Sequence, residues 1–492
     1  MFYIAYALGQ CAVEVGALIF AAQFISHRFH RRVHSIFVVL TFFLLLIHVI
    51  DFPLIRITGM TIWGALDFVK LESFENFIEL LYATHTSLFS WIIAGAIALL
   101  LPILGILFYR TTEKLSRKKP IRFSYSIYGA SLFAILVLFS IFDLKGFREE
   151  EKQLLVALPW KSTLLPANQP KLKVGFLNGD LPEKKYLSML EETVVAPAKR
   201  PNIFLFIVES LREDFLTPEV TPHLAGFKND NLSFPHGIAA ANGTHLSWFS
   251  IFHSVYPFYW DTRSPSQWQS GSLPLQILKK AGYQIHVYSS SRLGYYQMDQ
   301  RLFGKDHSLV DTFKAFGQDE EKENYLYDTE CITTLLQDMA SYEEGHVCIV
   351  FLESTHFGYS WPKEESHTAA PATMDYLKLT CSNDEIQNVK SRYQNAIHFI
   401  DTLFGRFMGQ LDSHPTGKKS VVVVTGDHGE EFFEEGRLFH ASNLSPMQIH
   451  VPIYYRLGKK NYVNPIHGEL SSHLDIFPTV LNHVLGKNYF VD

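Results

Sequence analysis

Most of the long apolar runs in this chain lie in its first 145 residues. Four stretches, residues 2–25, 35–54, 87–109 and 123–142, are each about as long as the roughly 17–25 residues an apolar helix needs to cross a bilayer. The first lacks a basic start and an A-x-A end, and further apolar runs follow it, so it reads as a retained span rather than a cleaved leader. The expected N-terminal domain, residues 1–145, is a bundle of about four transmembrane helices.

Basic residues set its orientation. The loop SHRFHRRVH carries Arg28, Arg31 and Arg32, and RTTEKLSRKKPIR carries six Lys/Arg. The connection between the second and third runs has Arg56 and Lys70 against several acids. By the positive-inside rule the two basic loops face the cytoplasm, and everything after residue 142 faces outward. The connection, with Trp63, Phe68, Phe74 and Phe77, reads either as an amphipathic stretch on the outer leaflet or as a packed connector. Glu14 falls inside the first run, where an acid is either functional or satisfied by packing.

Residues 146–199 read as a linker, charged at FREEEKQ and then rich in Pro and Lys. From residue 200 to 492 the pattern changes. The apolar runs PNIFLFIVES, YQIHVYSSS, HVCIVFLEST and KSVVVVTGDHGE suit strands buried on both faces of a sheet. Helix-like segments alternate with them: LPLQILKKA, YDTECITTLLQDMASYE and QNVKSRYQNAIHFIDTLFGRFMGQLD. The expectation is an α/β domain, a mainly parallel sheet covered by helices on both faces. The net charge of −6 gives no sign of nucleic acid as a partner. Among four cysteines, Cys331 and Cys381 pair if they lie close in an oxidising compartment; free buried thiols are the alternative.

Three of the strand-like runs end in polar groups, Glu209-Ser210, Thr355-His356 and Asp427-His428, and ligands of open α/β sheets sit at such ends. Gly426 and Gly429 are expected to let the backbone turn tightly around Asp427 and His428. An adjacent carboxylate and imidazole make half of a divalent-metal site, with a turn and a solvated histidine as the alternative. Glu209 offers a third ligand. Thr244, in ANGTHLSWFS, is a good residue to cap the helix that follows; it is also placed where a metal-bound hydroxyl could act as a nucleophile.

The order of these motifs resembles that of the sulfatase/alkaline-phosphatase superfamily over residues 201–486. PNIFLFIVESLRED, VTPHLAGF, GTHLSWFSIFHSVYP, LKKAGYQIHVYSSS, RYQNAIHFIDTLFGRFMGQL, VVVVTGDHGEE, VPIYYRLG and SSHLDIFPTVLNHVLG follow one another in the family order. GTHLS stands where true sulfatases carry C/S-x-P-x-R. A threonine with Glu and Asp-His ligands is instead similar to the lipoteichoic-acid synthase and phosphoethanolamine transferase branch. The resemblance implies Glu209, Thr244, Asp427 and His428 as the metal and nucleophile set, His356 as a substrate-phosphate histidine, His440 as another active-site histidine at the substrate, and Arg292 and Arg301 as looser phosphate contacts. It also implies one divalent metal (Mn, Zn or Mg) and a bacterial inner-membrane, multi-pass protein with its C-terminal domain in the periplasm.

TGDHGEEF and the SHLDIFPT ending are closest to the YejM/PbgA-type inner-membrane proteins, which sense lipopolysaccharide and carry a basic lipid-binding linker. ALPWKSTLLPANQPKLK, with Lys161, Lys171 and Lys173, occupies that place here, although four spans are read where that subgroup has five. Two functions follow. One is a metal-dependent phosphotransferase or hydrolase acting on phosphate-linked lipid headgroups. The other is a regulator that binds lipopolysaccharide or another membrane lipid and signals to inner-membrane protein partners, with weak or vestigial catalysis.

Overall fold

The structure of the protein, a computed structural model, describes residues 15–58 apart from 23, scattered residues between 61 and 131, and residues 197 and 199–486 apart from 235, 263–267, 269, 318–321, 375–381 and 459–469. Glu14, Cys11, Cys381, the linker residues Lys161, Lys171 and Lys173, and nearly all of the fourth apolar run therefore lie outside the described residues. The chain divides into two compact units, Met1–Leu172 and Lys173–Asp492.

In the first unit, helix α1 (Arg31–Thr58) begins in the basic loop and contains the whole second apolar run. Among the described residues no helix is long and apolar enough to cross a membrane. The four-span bundle thus rests on the sequence runs.

The second unit is built on seven strands: β1 (Ile203–Val208), β2 (Leu232–Phe234), β3 (Gln284–Ser289), β4 (Thr312–Ala315), β5 (His346–Leu352), β6 (Val421–Gly426) and β7 (Ile453–Leu457). Their order across the sheet is β2-β7-β6-β1-β5-β3-β4. The five strands from β6 to β4 are parallel, and β7 pairs antiparallel with both β6 and β2. The parallel strands are the continuous apolar runs of the sequence. The antiparallel edge is made of VPIYYRLG and a three-residue strand too short for periodicity to reveal.

Alternation along the strands explains the two-faced burial. Ile203, Leu205 and Ile207 of β1, with Val421 and Val423 of β6, join one core with helices α3 (Thr244–His253), α4 (Leu273–Lys280) and α7 (Ile476–Leu485). Phe204, Phe206 and Val208, with Val422 and Val424, join the other with α2 (Pro222–Asp230), α5 (Asn324–Met339) and α6 (Asn383–Ser413). Each such side chain is worth about 1.5–3 kcal/mol on full burial. A one-residue slip would exchange the faces of every one of them, so the register is firmly held. Phe206 packs edge-on to Phe404 of α6 at 5.5 Å. Cys331 and Cys348 are buried free thiols in this second core.

That register matters for the site. Val208 lies opposite Leu352 on one side and Gly426 on the other. Glu209, Glu353 and Asp427 therefore leave three neighbouring strands at the same level.

Candidate active site

Glu209 emerges from β1 almost wholly buried, 1% exposed. Ser210 then takes φ 54°, the left-handed region, which costs a non-glycine residue free energy and needs support from its surroundings. The support is visible. Ser210 N–H donates to Asp427 Oδ1 at 2.9 Å, and the Tyr393 hydroxyl of α6 donates to Ser210 O while accepting from Arg212 N–H at 2.9 Å. The Thr355 hydroxyl, just beyond β5, donates to the Glu209 carbonyl.

Asp427 and His428 follow β6 and are fully buried. Asp427 Oδ1 also accepts the His428 N–H at 2.8 Å. His428 Nδ1 lies 2.9 Å from the Gly429 carbonyl, so Nδ1 carries a proton, and Nε2, once a cation displaces its own proton, would present a lone pair to the site. The flanking glycines act differently from the sequence expectation. Neither has positive φ. A Cβ on Gly426 would sit 2.6 Å from the Leu211 carbonyl oxygen, and one on Gly429 would sit 2.1 Å from that of Met447. They are required by close backbone approach, not by a tight turn.

Thr244 is the first residue of α3, and the N-cap is Gly243, extended at φ −157° and ψ 144° with no side-chain capping bond. The capping role foreseen for Thr244 is therefore not taken up. Its Oγ1 lies 3.3 Å from Glu209 Oε2 and 3.3 Å from His428 Nε2. Trp248, Phe249, Ile251 and Phe252 are wholly buried, which anchors α3 and aims its N-terminus at this point. The first N–H groups of a helix have no partner within it, so the hydroxyl stands beside an anion-favouring end.

The electrostatics follow from two buried carboxylates facing one imidazole. Burial pushes the Asp427 carboxyl well above the usual range, the adjacent Glu209 charge adds to this, and His428 opposes it. Burial also opposes the Glu209 charge, but the His428 beside it outweighs burial and holds that carboxyl well below its ordinary value. His428 itself loses by burial and gains more from Asp427 and Glu209, so it is pushed up to about 10. Asp427 Oδ2 is buried without a hydrogen-bond donor and lies 3.7 Å from His428 Nε2. Ligand atoms of Glu209, His428 and His440 all lie within 4.8 Å of one another. An orphaned carboxylate oxygen, a second carboxylate, a hydroxyl and an imidazole lone pair facing one point fit a divalent cation.

His440 packs at a tilt against His428 at 4.1 Å, ring centre to ring centre, with Nδ1 3.2 Å from Glu430 Oε1; His356 lies 6.4 Å from His440 on the same measure. Both histidines expected at the substrate are thus beside the cluster. Arg292 directs Nε to the Gly317 carbonyl at 3.0 Å. Arg301 is buried, donates to the Trp260 carbonyl at 2.8 Å and stacks on the Trp260 ring at 3.9 Å, which makes it a pin for the segment after α3.

Several supporting residues escaped sequence reasoning. Glu430 orients His440. Glu431 accepts from Glu435 N, Arg437 N, Ser445 Oγ and Gln448 Nε2, tying down the loop that bears His440. The doubled acid in DHGEE was the available signal. Asp328, inside α5, accepts from Ser290 Oγ, Glu353 N, Ser354 N and Ser354 Oγ, and nothing in its local sequence marks it. His473 places Nε2 2.9 Å from the Gly426 carbonyl and accepts from Ala240 N at 3.3 Å.

The Sulfatase family model matches residues 201–487. An uncharacterized protein of Haemophilus influenzae is 24% identical over 63% of this chain and 47% of its own length. Phosphoethanolamine transferase EptA of Salmonella typhimurium is 24% identical over 67% of this chain and 60% of its own. The chain thus spans less than two thirds of the length of these curated relatives. Among solved structures, the integral membrane protein lipooligosaccharide phosphoethanolamine transferase A of Neisseria meningitidis superposes with a TM-score of 0.56 over 97% of this chain and 95% of that one; at 16% identity the likeness is one of fold. With the family match covering more than half of the sequence and the whole of the β1-to-α7 domain, the chain belongs to the sulfatase family.

Proposed function

We propose that the chain is a membrane-anchored, divalent-metal-dependent transferase or hydrolase of phosphate-linked lipid headgroups, with Thr244 as the nucleophile. The observation that carries this reading is the direction of the Thr244 hydroxyl, which is spent on Glu209 and His428 instead of on its helix. The matched relatives named as phosphoethanolamine and phosphoglycerol transferases support the headgroup class. The apolar runs of residues 2–142 support anchoring, with the domain at the outer face of a bacterial inner membrane.

Glu209, Asp427 Oδ2, His428 Nε2 and Thr244 Oγ1 would hold the cation. When bound it lowers the pKa of the hydroxyl and offsets charge on the phosphoryl oxygens. Thr244 Oγ1 donates a hydrogen bond to Glu209 Oε2, which orients the hydroxyl, and the acidified hydroxyl would give its proton to water. Oγ1 then forms a bond to phosphorus as the donor lipid's P–O bond breaks. His440, held at Nδ1 by Glu430, presents Nε2 to give a proton to the departing oxygen. An acceptor hydroxyl or water next attacks the phospho-threonine and restores Thr244. The free N–H groups at the start of α3 favour the phosphate in both steps.

The lipid-sensing alternative is not favoured. The relatives named for an activity are transferases. The test is release of diacylglycerol from phosphatidylethanolamine or phosphatidylglycerol by the full-length chain in detergent. Wild type releases it and Thr244→Ala does not. Equal release by both would sink the nucleophile.

A further inference from the structure

A cavity of about 740 Å³ lies within the first unit, between the start of α1 and helical residues 102–107 and 109–111. That volume is in the range of small-molecule sites. Its two ends differ in chemistry. One end is lined by Arg31, Arg110, His34 and Tyr109, and the other by Val38, Val39, Phe42 and Ile106. Residues near 31–35 are level with 109–110, and Phe42 is level with Gly105, so the two helices run in opposite directions. A Cβ on Gly105 would fall 2.6 Å from the Phe42 ring, which shows how closely they approach at the apolar end. The Tyr109 hydroxyl meets His34 Nδ1 at 3.1 Å across the gap.

Among the described residues no carboxylate pairs with Arg31 or Arg110. Two guanidinium groups lining one cavity repel each other, and each presents a fork suited to phosphate oxygens. The apolar walls begin one helical turn further in, as they would for a ligand that is anionic at one end and hydrocarbon at the other. The basic loops containing Arg31 and Arg110 are those the charge distribution places in the cytoplasm. Basic pockets between helices on that side suit anionic lipid headgroups.

We infer that this cavity binds one anionic phospholipid of the cytoplasmic leaflet, its phosphate between Arg31 and Arg110 and an acyl chain along Val38, Phe42 and Ile106. The site belongs to a different unit from the Thr244 cluster. It rests on the reading of the first unit as membrane-embedded, and not on the transferase reading.

The test uses the full-length chain purified in detergent, exchanged into mixed micelles of dioleoyl-phosphatidylglycerol and dioleoyl-phosphatidylcholine, then delipidated and assayed for retained lipid. Wild type retains about one phosphatidylglycerol per chain against excess phosphatidylcholine. Arg31→Gln/Arg110→Gln loses that preference by about tenfold or more, and Arg31→Lys/Arg110→Lys keeps most of it. Val38→Trp, which fills the apolar end and leaves the charges, also loses retention. Equal retention by all four proteins would overturn the site, as would displacement of phosphatidylglycerol by soluble glycerol phosphate. A carbonate wash of cell membranes separates the underlying reading: release of the chain into the supernatant would overturn membrane embedding itself.

Discussion

Asp328→Asn replaces one oxygen of a carboxylate that accepts four hydrogen bonds in a fully buried position. Oδ1 takes Ser290 Oγ and Glu353 N–H at 2.5 and 2.8 Å; Oδ2 takes Ser354 N–H and Oγ at 2.8 and 2.5 Å. Whichever oxygen becomes an amide nitrogen then faces one hydroxyl, which can rotate to accept, and one backbone N–H, which cannot. Leaving that N–H unpaired costs about 1–3 kcal/mol, and the remaining bonds lose their charge assistance. The sum is about 2–4 kcal/mol, a large part of the roughly 5–15 kcal/mol that holds a domain together. Asp328→Ala orphans both N–H groups and leaves a void, so it costs more than Asn. The damage should also reach the site, because the same loop carries His356 and its Thr355 hydroxyl holds the Glu209 carbonyl. Urea unfolding of the full-length chain, followed by tryptophan fluorescence, measures the first effect, and the headgroup-release assay measures the second. A change of less than about 0.5 kcal/mol for Asn, within the range of ordinary surface substitutions, would refute the four-donor account.

Thr244→Ala should leave the melting temperature nearly unchanged, because Gly243 and not Thr244 caps α3; the loss of about 1 kcal/mol typical of a removed cap would contradict that assignment. Gly429→Ala drives a Cβ against the Met447 carbonyl and displaces His428, so both thermal stability, by about 1–3 kcal/mol, and bound metal measured by elemental analysis should fall. His473 is fully buried and its pKa is lowered to about 3, chiefly by burial, below the ordinary value of 6.5. The unfolded chain therefore takes up a proton first: stability is full above about pH 6.5 and falls by about 1.4 kcal/mol per unit as pH drops toward 3. His473→Gln, which can still donate to Gly426 and accept from Ala240, should remove about one proton from that acid profile, and an unchanged slope in pH-dependent denaturation would count against it. Glu430→Gln should slow headgroup release while Glu430→Asp retains part of it, since Glu430 acts by orienting His440.

The strands and the site were legible where burial is extreme. VVVV and IFLFIV suit central strands of a doubly covered sheet, and their carboxyl ends put Glu209 and Asp427-His428 in one place. Thr244 needed more, because a threonine before a helix satisfies capping and nucleophile readings equally until the direction of its hydroxyl is known. The edge strand at residues 232–234 is too short for periodicity to reveal, and β7 looks like its parallel neighbours although it runs the other way. Asp328 was hidden for a different reason. It belongs to a helix whose sequence explains itself, and its partners are two backbone N–H groups and two serine hydroxyls 25 or more residues away. The close-packed glycines were visible as glycines, but only the backbone opposite each one says what it is for.

The central claim is that Thr244 carries the headgroup during turnover. Intact mass and elemental analysis of the full-length chain, after exposure to phosphatidylethanolamine or phosphatidylglycerol, test it most directly. The account predicts about one divalent metal per chain and a phosphate-headgroup adduct that maps to the Thr244 peptide and is absent from Thr244→Ala. An adduct that persists in Thr244→Ala, or a metal-loaded wild-type chain that turns over donor lipid and never acquires one, would contradict it.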